Sequence, residues 1–261
     1  MSKTVQLTIE NAIATITLNR PEAMNSFNRE MAEDLEKITE QVRLDTAVRA
    51  VLLKGAGNLF MAGGDIRFFY ERLETMAADI MNDIRLLSGA ILNIMQMPKP
   101  VLASVHGSVA GVGMSFMMAA DLVIAAENTK FTMAYSGIGL SPDGGASYLL
   151  PRLAGTKKAM ELILLSDVFA AKAAQEYGLI NFMTAPEKLA AETESLLKRL
   201  ANGPTHAYAQ AKRLINQSWY NSLETQLDAE GRAFASCCAT NDFKTGISSF
   251  LEKKSPLFNG N

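Results

Sequence analysis

Apolar and polar residues alternate from Val5 to Ile9 and again from Ala12 to Leu18, with Glu10-Asn11 between the two runs. That period predicts an opening β-hairpin, ended by Asn19-Arg20-Pro21. The spacing then lengthens. Met31, Leu35, Ile38 and Val42 lie on one face of a helix that Ser26 or Asn28 can cap. Arg49 to Leu53 is a compact β run closed by Gly55 and Gly57. A long helical region follows from Ile66 to Met97, striped by Leu86, Leu87, Ile91, Ile94 and Met95 and stopped by Pro98 and Pro100. Val101 to Val105 suits a buried strand, Met114 to Ala120 a helix, and Leu122 to Ala126 another strand. Phe131 to Met133 is short and β-like, and Tyr135 to Leu140 is irregular. Pro142, heading Asp143 to Leu150, predicts a helix start, and Pro151 should stop or kink that helix.

From Thr156 onward the spacing is helical, over Lys157–Leu165, Ala170–Tyr177, Pro186–Ala201 and Pro204–Trp219. Leu179 to Met183 is the exception and predicts a returning strand. Strands alternating with helices, then a helical tail, indicate an α/β core with an appended helical part. Gly203-Pro204 is the clearest internal boundary, dividing a core of 1–202 from a helical subdomain of 203–261.

Composition narrows the function classes. The 261 residues are 48% hydrophobic and 20% charged, with a net charge of −2, which suits a globular chain and lacks the basic footprint of a nucleic-acid binder. Cys237 and Cys238 are adjacent and have no framework spacing, so a reducing compartment is expected. His106 and His206 lie far apart without other clustered ligands, so no metal site is expected. The first residues lack a signal or transit pattern, and no apolar run reaches the ~18 residues of a spanning helix. A cytoplasmic protein, not inserted in a membrane, follows as the expectation.

The candidate chemistry sits at two glycine-rich breaks, each leading from a β-like run into a helix. One is Phe60-Met61-Ala62-Gly63-Gly64-Asp65-Ile66, and the other is centred on Gly107, Gly111 and Gly113. Such breaks put backbone N–H groups at a helix N-terminus, where they bind negative charge. Two of them aimed at one point would make an oxyanion hole. A GxGxxG dinucleotide fingerprint is missing after the first strand, which argues against a nucleotide-binding fold.

Four segments carry a resemblance. Asn19-Arg20-Pro21-Glu22-Ala23-Met24-Asn25, the Phe60–Ile66 turn, the block from Lys99 to Gly113, and Ala171 to Leu179 resemble, in order, motifs of the crotonase superfamily, the enoyl-CoA hydratases and isomerases. The resemblance implies an α/β fold built as a spiral of ββα turns, with a helical C-terminal region that assembles homotrimers or dimers of trimers. It implies an acyl-CoA thioester substrate whose carbonyl oxygen sits between the backbone N–H groups of Gly64 and Val112. It also places Met24, Ala62, Asp65, Ile66, Tyr135 and Leu140 against the substrate. Coenzyme A then enters as part of the substrate, and no separate cofactor is expected.

Side chains decide the branch. Where hydratases of that family carry two glutamates, this chain has Ser115 and Tyr135, and neither replaces a carboxylate as acid or base at neutral pH. Asp143, in Ser141-Pro142-Asp143-Gly144-Gly145, falls where single-carboxylate isomerases of the family place theirs. One carboxylate suffices to move a proton from C2 to C4 of a 3-enoyl thioester, and Ile138, Leu140 and Tyr135 would desolvate it. Ring-epoxide phenylacetyl-CoA isomerisation, hydration, and acyl-CoA binding without turnover are the alternatives. A dehalogenase would need a histidine near Ser88, and that helix has none.

Overall fold

The computed structural model describes residues 4–261; the first three, part of the N-terminal stretch read for targeting patterns, lie outside the described residues. The hairpin forms as β1 (Val5–Glu10) and β2 (Ile13–Leu18), paired antiparallel from Val5↔Leu18 to Glu10↔Ile13. Next come α1 (Arg29–Leu44), capped by the Asn28 side chain accepting from Met31 N–H, and β3 (Ala50–Gly55). The predicted helix from Ile66 to Met97 is two helices, α2 (Ile66–Tyr70) and α3 (Met76–Gln96). The Arg72-Leu73-Glu74 turn between them is exposed, so no core contact extends the apolar stripe across it.

Then follow β4 (Val101–Val105), β5 (Ser108–Ala110), α4 (Val112–Ala119), β6 (Leu122–Ala126) and β7 (Lys130–Thr132). The predicted helix start at Pro142 is displaced. Gly144 and Gly145 adopt φ of 55° and 81°, a conformation that cannot begin a right-handed helix, so α5 runs from Ala146 to Ala154. Pro151 lies inside α5 without ending it. The remainder is α6 (Thr156–Leu165), β8 (Phe169–Ala170), α7 (Ala171–Glu176), β9 (Phe182–Thr184), α8 (Leu189–Ala201), α9 (Thr205–Gln217), α10 (Leu223–Cys238) and α11 (Asn241–Leu251).

The strands form a six-stranded sheet, β1-β2-β3-β4-β6-β9, and a three-stranded sheet, β5-β7-β8. From β2 to β6, each turn of the chain adds one strand to the large sheet, then one segment to the second layer, then a helix. In the third turn these are β4, β5 and α4; in the fourth, β6, β7 and α5. The first two turns keep only single residues in the second layer, Phe27 bridged to Gly64 and Met61 bridged to Val109. This is the spiral of ββα turns. Its core lies between the layers and α1, α3 and α4, with Phe60, Phe116, Phe131 and Met61 fully buried.

Helix α9 and the end of the chain dock through polar ties. Lys212 of α9 donates to Ile94 O at 2.8 Å and pairs with Asp121 at 2.8 Å, while Asp121 also accepts from Val101 N–H. Arg49 reaches Gly203 O and Phe258 O, which holds the chain end against β3. Among the described residues no helix is long and apolar enough to cross a membrane, and no group of acidic, histidine or cysteine side chains could hold a metal ion.

Candidate active site

The spiral brings the two glycine turns together. Met61 N–H donates to Ser108 O at 3.2 Å and Ala110 N–H to Met61 O at 2.9 Å, so the stretch before Gly63 runs alongside β5. A Cβ added at Gly111 would lie 3.5 Å from Gly63 Cα. A Cβ added at Gly63 would come closer still, 3.3 Å from Ala110 O, so a side chain there would press on the end of β5. Gly111, at φ 51° and ψ −122°, also turns the chain from β5 into α4 in a conformation that L-residues rarely adopt.

Several neighbouring N–H groups are already used. Ala62 N–H donates to Met24 O, Asp65 N–H to Phe27 O and Gly111 N–H to Thr132 O. The N–H groups of Gly64 and Val112 have no acceptor among the described residues, and both residues line one cavity of about 270 Å³. Val112 is the first residue of α4, where an N–H has no intrahelical partner and the helix dipole adds positive potential. The pair is therefore ready for a developing negative charge.

The Asn19–Asn25 segment explains itself as scaffolding for this arrangement. Asn25 Nδ2 donates to Ala56 O at 2.8 Å and Leu59 O at 2.9 Å, and Arg20 pairs with Asp65 at 2.9 Å. Burial would raise the Asp65 pKa, but N–H bonds from Phe68 and Arg67 and the Arg20 guanidinium hold it below the ordinary value. Asp65 is thus engaged in capping α2 and in pairing with Arg20, and it does not line the cavity. Met24 does not line it either; the residue is 57% exposed, and its carbonyl accepts from Ala62 N–H.

Ala62, Ile66, Tyr135, Leu140 and Asp143 all line the same cavity. Asp143 is held in the turn before α5, where Ser115 Oγ donates to its carbonyl at 3.0 Å. The Tyr135 hydroxyl donates to Asp143 Oδ1 at 2.6 Å. Tyr135 is therefore a partner of the carboxylate, beyond the wall residue that the sequence suggested. Burial raises the Asp143 pKa above the usual carboxylate range, and the Tyr135 hydrogen bond partly opposes this. Burial, then the Asp143 charge, push the Tyr135 phenol up, so it stays protonated and donating.

Sequence reasoning missed much of the lining. Phe27, Phe68, Phe69, Ile80, Ile84 and Asp83 belong to the cavity. Phe68 and Phe69 lie in the long stretch read as helix, and Ile80, Asp83 and Ile84 share one face of α3 at helical spacing. That pattern was available, but nothing in it says which helix face meets the glycine turns.

Comparison with known proteins identifies the family. Residues 8–261 match the family model described as enoyl-CoA hydratase/isomerase. The 1,2-epoxyphenylacetyl-CoA isomerase of Escherichia coli is 40% identical over 97% of each chain. The trans-2-decenoyl-[acyl-carrier-protein] isomerase of Streptococcus mutans is 33% identical over 99% of this chain and 98% of its own. A solved enoyl-CoA hydratase from Polaromonas superimposes with a TM-score of 0.93 at 30% identity, covering 98% of this chain and 99% of that one.

Proposed function

Because this chain belongs to the enoyl-CoA hydratase/isomerase family, we propose that it moves the double bond of a 3-enoyl-CoA to the 2-position, using Asp143 as the only proton carrier. The observation that carries this reading is one cavity lined by Asp143 and by two residues with uncommitted N–H groups, Gly64 and Val112. Asp143 takes the proton from C2. The C2–H electron pair becomes the C1–C2 π bond, and the thioester oxygen gains the negative charge that the two N–H groups receive. When the charge returns, the C3–C4 π electrons take the proton from Asp143 at C4, leaving a C2–C3 double bond. Atoms and charge balance without a cofactor; coenzyme A is part of the substrate.

The raised Asp143 pKa suits this role, because a base works best when its pKa approaches the working pH. Ser115 and Tyr135 stand where the two glutamates of a hydratase would be needed, and both are hydrogen-bonded to Asp143. A panel of 3-enoyl, 2-enoyl and saturated thioesters, followed by ultraviolet and mass spectra, separates the outcomes. Formation of a conjugated thioester at constant mass supports the proposal. Gain of one water as the main reaction overturns it, and binding without turnover of any thioester would leave an acyl-CoA binder. Aromatic walls from Phe27, Phe68 and Phe69, and the likeness to an epoxyphenylacetyl-CoA isomerase, favour one second reading. It is isomerisation of a ring-epoxide phenylacetyl thioester, and that substrate belongs in the same panel. Met24, outside the cavity but bonded to Ala62, is assigned to the part of coenzyme A that remains outside.

The pH profile offers a separate check. Asp143 acts only when ionised, and its folded pKa is raised, so activity should fall with decreasing pH before an ordinary aspartate protonates. Tyr135→Phe removes the hydrogen bond that lowers this pKa. The acidic limb of kcat/KM against pH should then move to higher pH, and an unmoved limb would show that Tyr135 does not act on the carboxylate.

We also propose that the helical region 203–261 joins the 1–202 core into a homotrimer, or a dimer of trimers, in the cytoplasm. Phe243, Ile247, Phe250 and Leu251 recur at helical spacing along α11 and are all exposed, an apolar face without a partner among the described residues. Sedimentation at micromolar concentration is expected to give three or six copies; a monomer would leave this face unexplained and remove the proposal.

A further inference from the structure

The cavity holds a second carboxylate that the double-bond shift does not use. Asp83 lines it from α3, and the residue is only 4% exposed. Arg29, the first residue of α1, donates from Nε to Asp83 Oδ1 at 2.7 Å. That bond accounts for one oxygen and for the tie between α1 and α3. The other oxygen, Oδ2, has no hydrogen-bond or ion-pair partner among the described residues, yet it is not sealed away from solvent. For a residue this buried, what Oδ2 meets is the cavity, whose α3 wall is otherwise formed by Ile80 and Ile84.

A carboxylate oxygen in such a recess needs a donor. An alkyl chain filling the cavity would displace the water that Oδ2 contacts and offer nothing in return, and leaving a buried acceptor unsatisfied is costly. A hydroxyl on the chain would replace the water bond for bond. The cavity has a volume of about 270 Å³, so the group that reaches Asp83 is a small one. We propose that Asp83, oriented by Arg29, is a specificity residue that hydrogen-bonds a hydroxyl on the acyl group, so that this site takes short hydroxylated acyl-CoA thioesters in preference to plain alkyl ones. The inference rests on reading this cavity as the acyl site.

Saturated thioesters have no double bond to shift, so affinity is measured without turnover. Calorimetric titration of the full chain with hexanoyl-CoA and with its 4-, 5- and 6-hydroxy forms tests the idea. At least one hydroxylated ligand should bind about 10- to 100-fold more tightly than hexanoyl-CoA. Asp83→Leu should abolish or reverse that preference. Arg29 is half-exposed, so losing its partner leaves its charge in water and the fold should tolerate the change. Asp83→Asn, which keeps an acceptor for Arg29 Nε, should reduce the preference. Equal affinity of the natural protein for every ligand overturns the proposal, as does a preference that survives in Asp83→Leu. A lower Tm with unchanged preference would assign Asp83 to the α1–α3 tie alone. If no thioester binds, the acyl-site reading fails and this inference with it, whereas equal binding leaves that reading intact.

Discussion

Asp143→Asn is expected to lower isomerase turnover by about 10²- to 10⁴-fold while acyl-CoA affinity stays within a few-fold. Asparagine nearly matches aspartate in shape, and its Oδ1 still accepts from the Tyr135 hydroxyl, now 2.6 Å from the carboxylate. The Ser115 bond goes to the backbone carbonyl of residue 143 and does not depend on the side chain. The Gly144-Gly145 turn that sets the start of α5 is equally unaffected. What disappears is the ability to hold a proton between C2 and C4. Replacing a carboxylate that burial already disfavours in its charged form should not weaken folding. Turnover is read from the ultraviolet absorbance of the conjugated thioester, and affinity by calorimetry with a 2-enoyl-CoA. Undiminished turnover would point to another base, and a collapse of folding or binding would make Asp143 structural.

Val112→Pro isolates the oxyanion contribution. Proline removes a backbone N–H, and at most helix positions that breaks a hydrogen bond and adds a clash. Val112 is different because it is the first residue of α4, where proline is well tolerated and its N–H bonds to no described residue. The side chain is buried, and the proline ring is close to valine in size. The change therefore deletes one donor with little other disturbance. A loss of about 10²–10³ in kcat is expected, the scale seen when one oxyanion donor is removed. KM should move far less, because the thioester oxygen carries full charge only in the dienolate. A fall in binding with kcat intact would mean that the Val112 N–H serves ground-state recognition instead. A drop of several degrees in Tm would show that α4 does not accept proline here, and Gly64, from the other turn, would then be the donor to test.

Local chemistry made some parts of the protein legible from its residues. The period-2 runs of β1 and β2, the Asn28 cap and the apolar face of α1 each depend on neighbours in sequence, and each formed as its pattern indicates. The glycine turns were legible for the same reason, since a residue without Cβ marks where backbone must turn sharply or approach closely. β5 was not: three residues are too few to show a period, and the strand exists because Met61 and β7 bond to it on either side. The helix predicted from Pro142 failed because proline at a helix start is a weak preference, overridden by two glycines at positive φ.

By itself the sequence determined which residues could act: a lone carboxylate at Asp143, no second one at Ser115 or Tyr135, and two chain breaks able to present N–H groups. Only the tertiary structure decided that Asp143, Tyr135, Gly64 and Val112 share one cavity. Gly64 and Val112 are 48 positions apart by their numbering and meet because the second layer of the spiral stacks Met61 on Val109. Tertiary contact also made Tyr135 a partner of Asp143, and Asp83 part of the cavity wall. Residue type and local spacing are properties of a short stretch of chain. Which helix face, hydroxyl or N–H points into a shared space depends on how successive turns of the spiral pack, and that is set by contacts between segments distant in sequence.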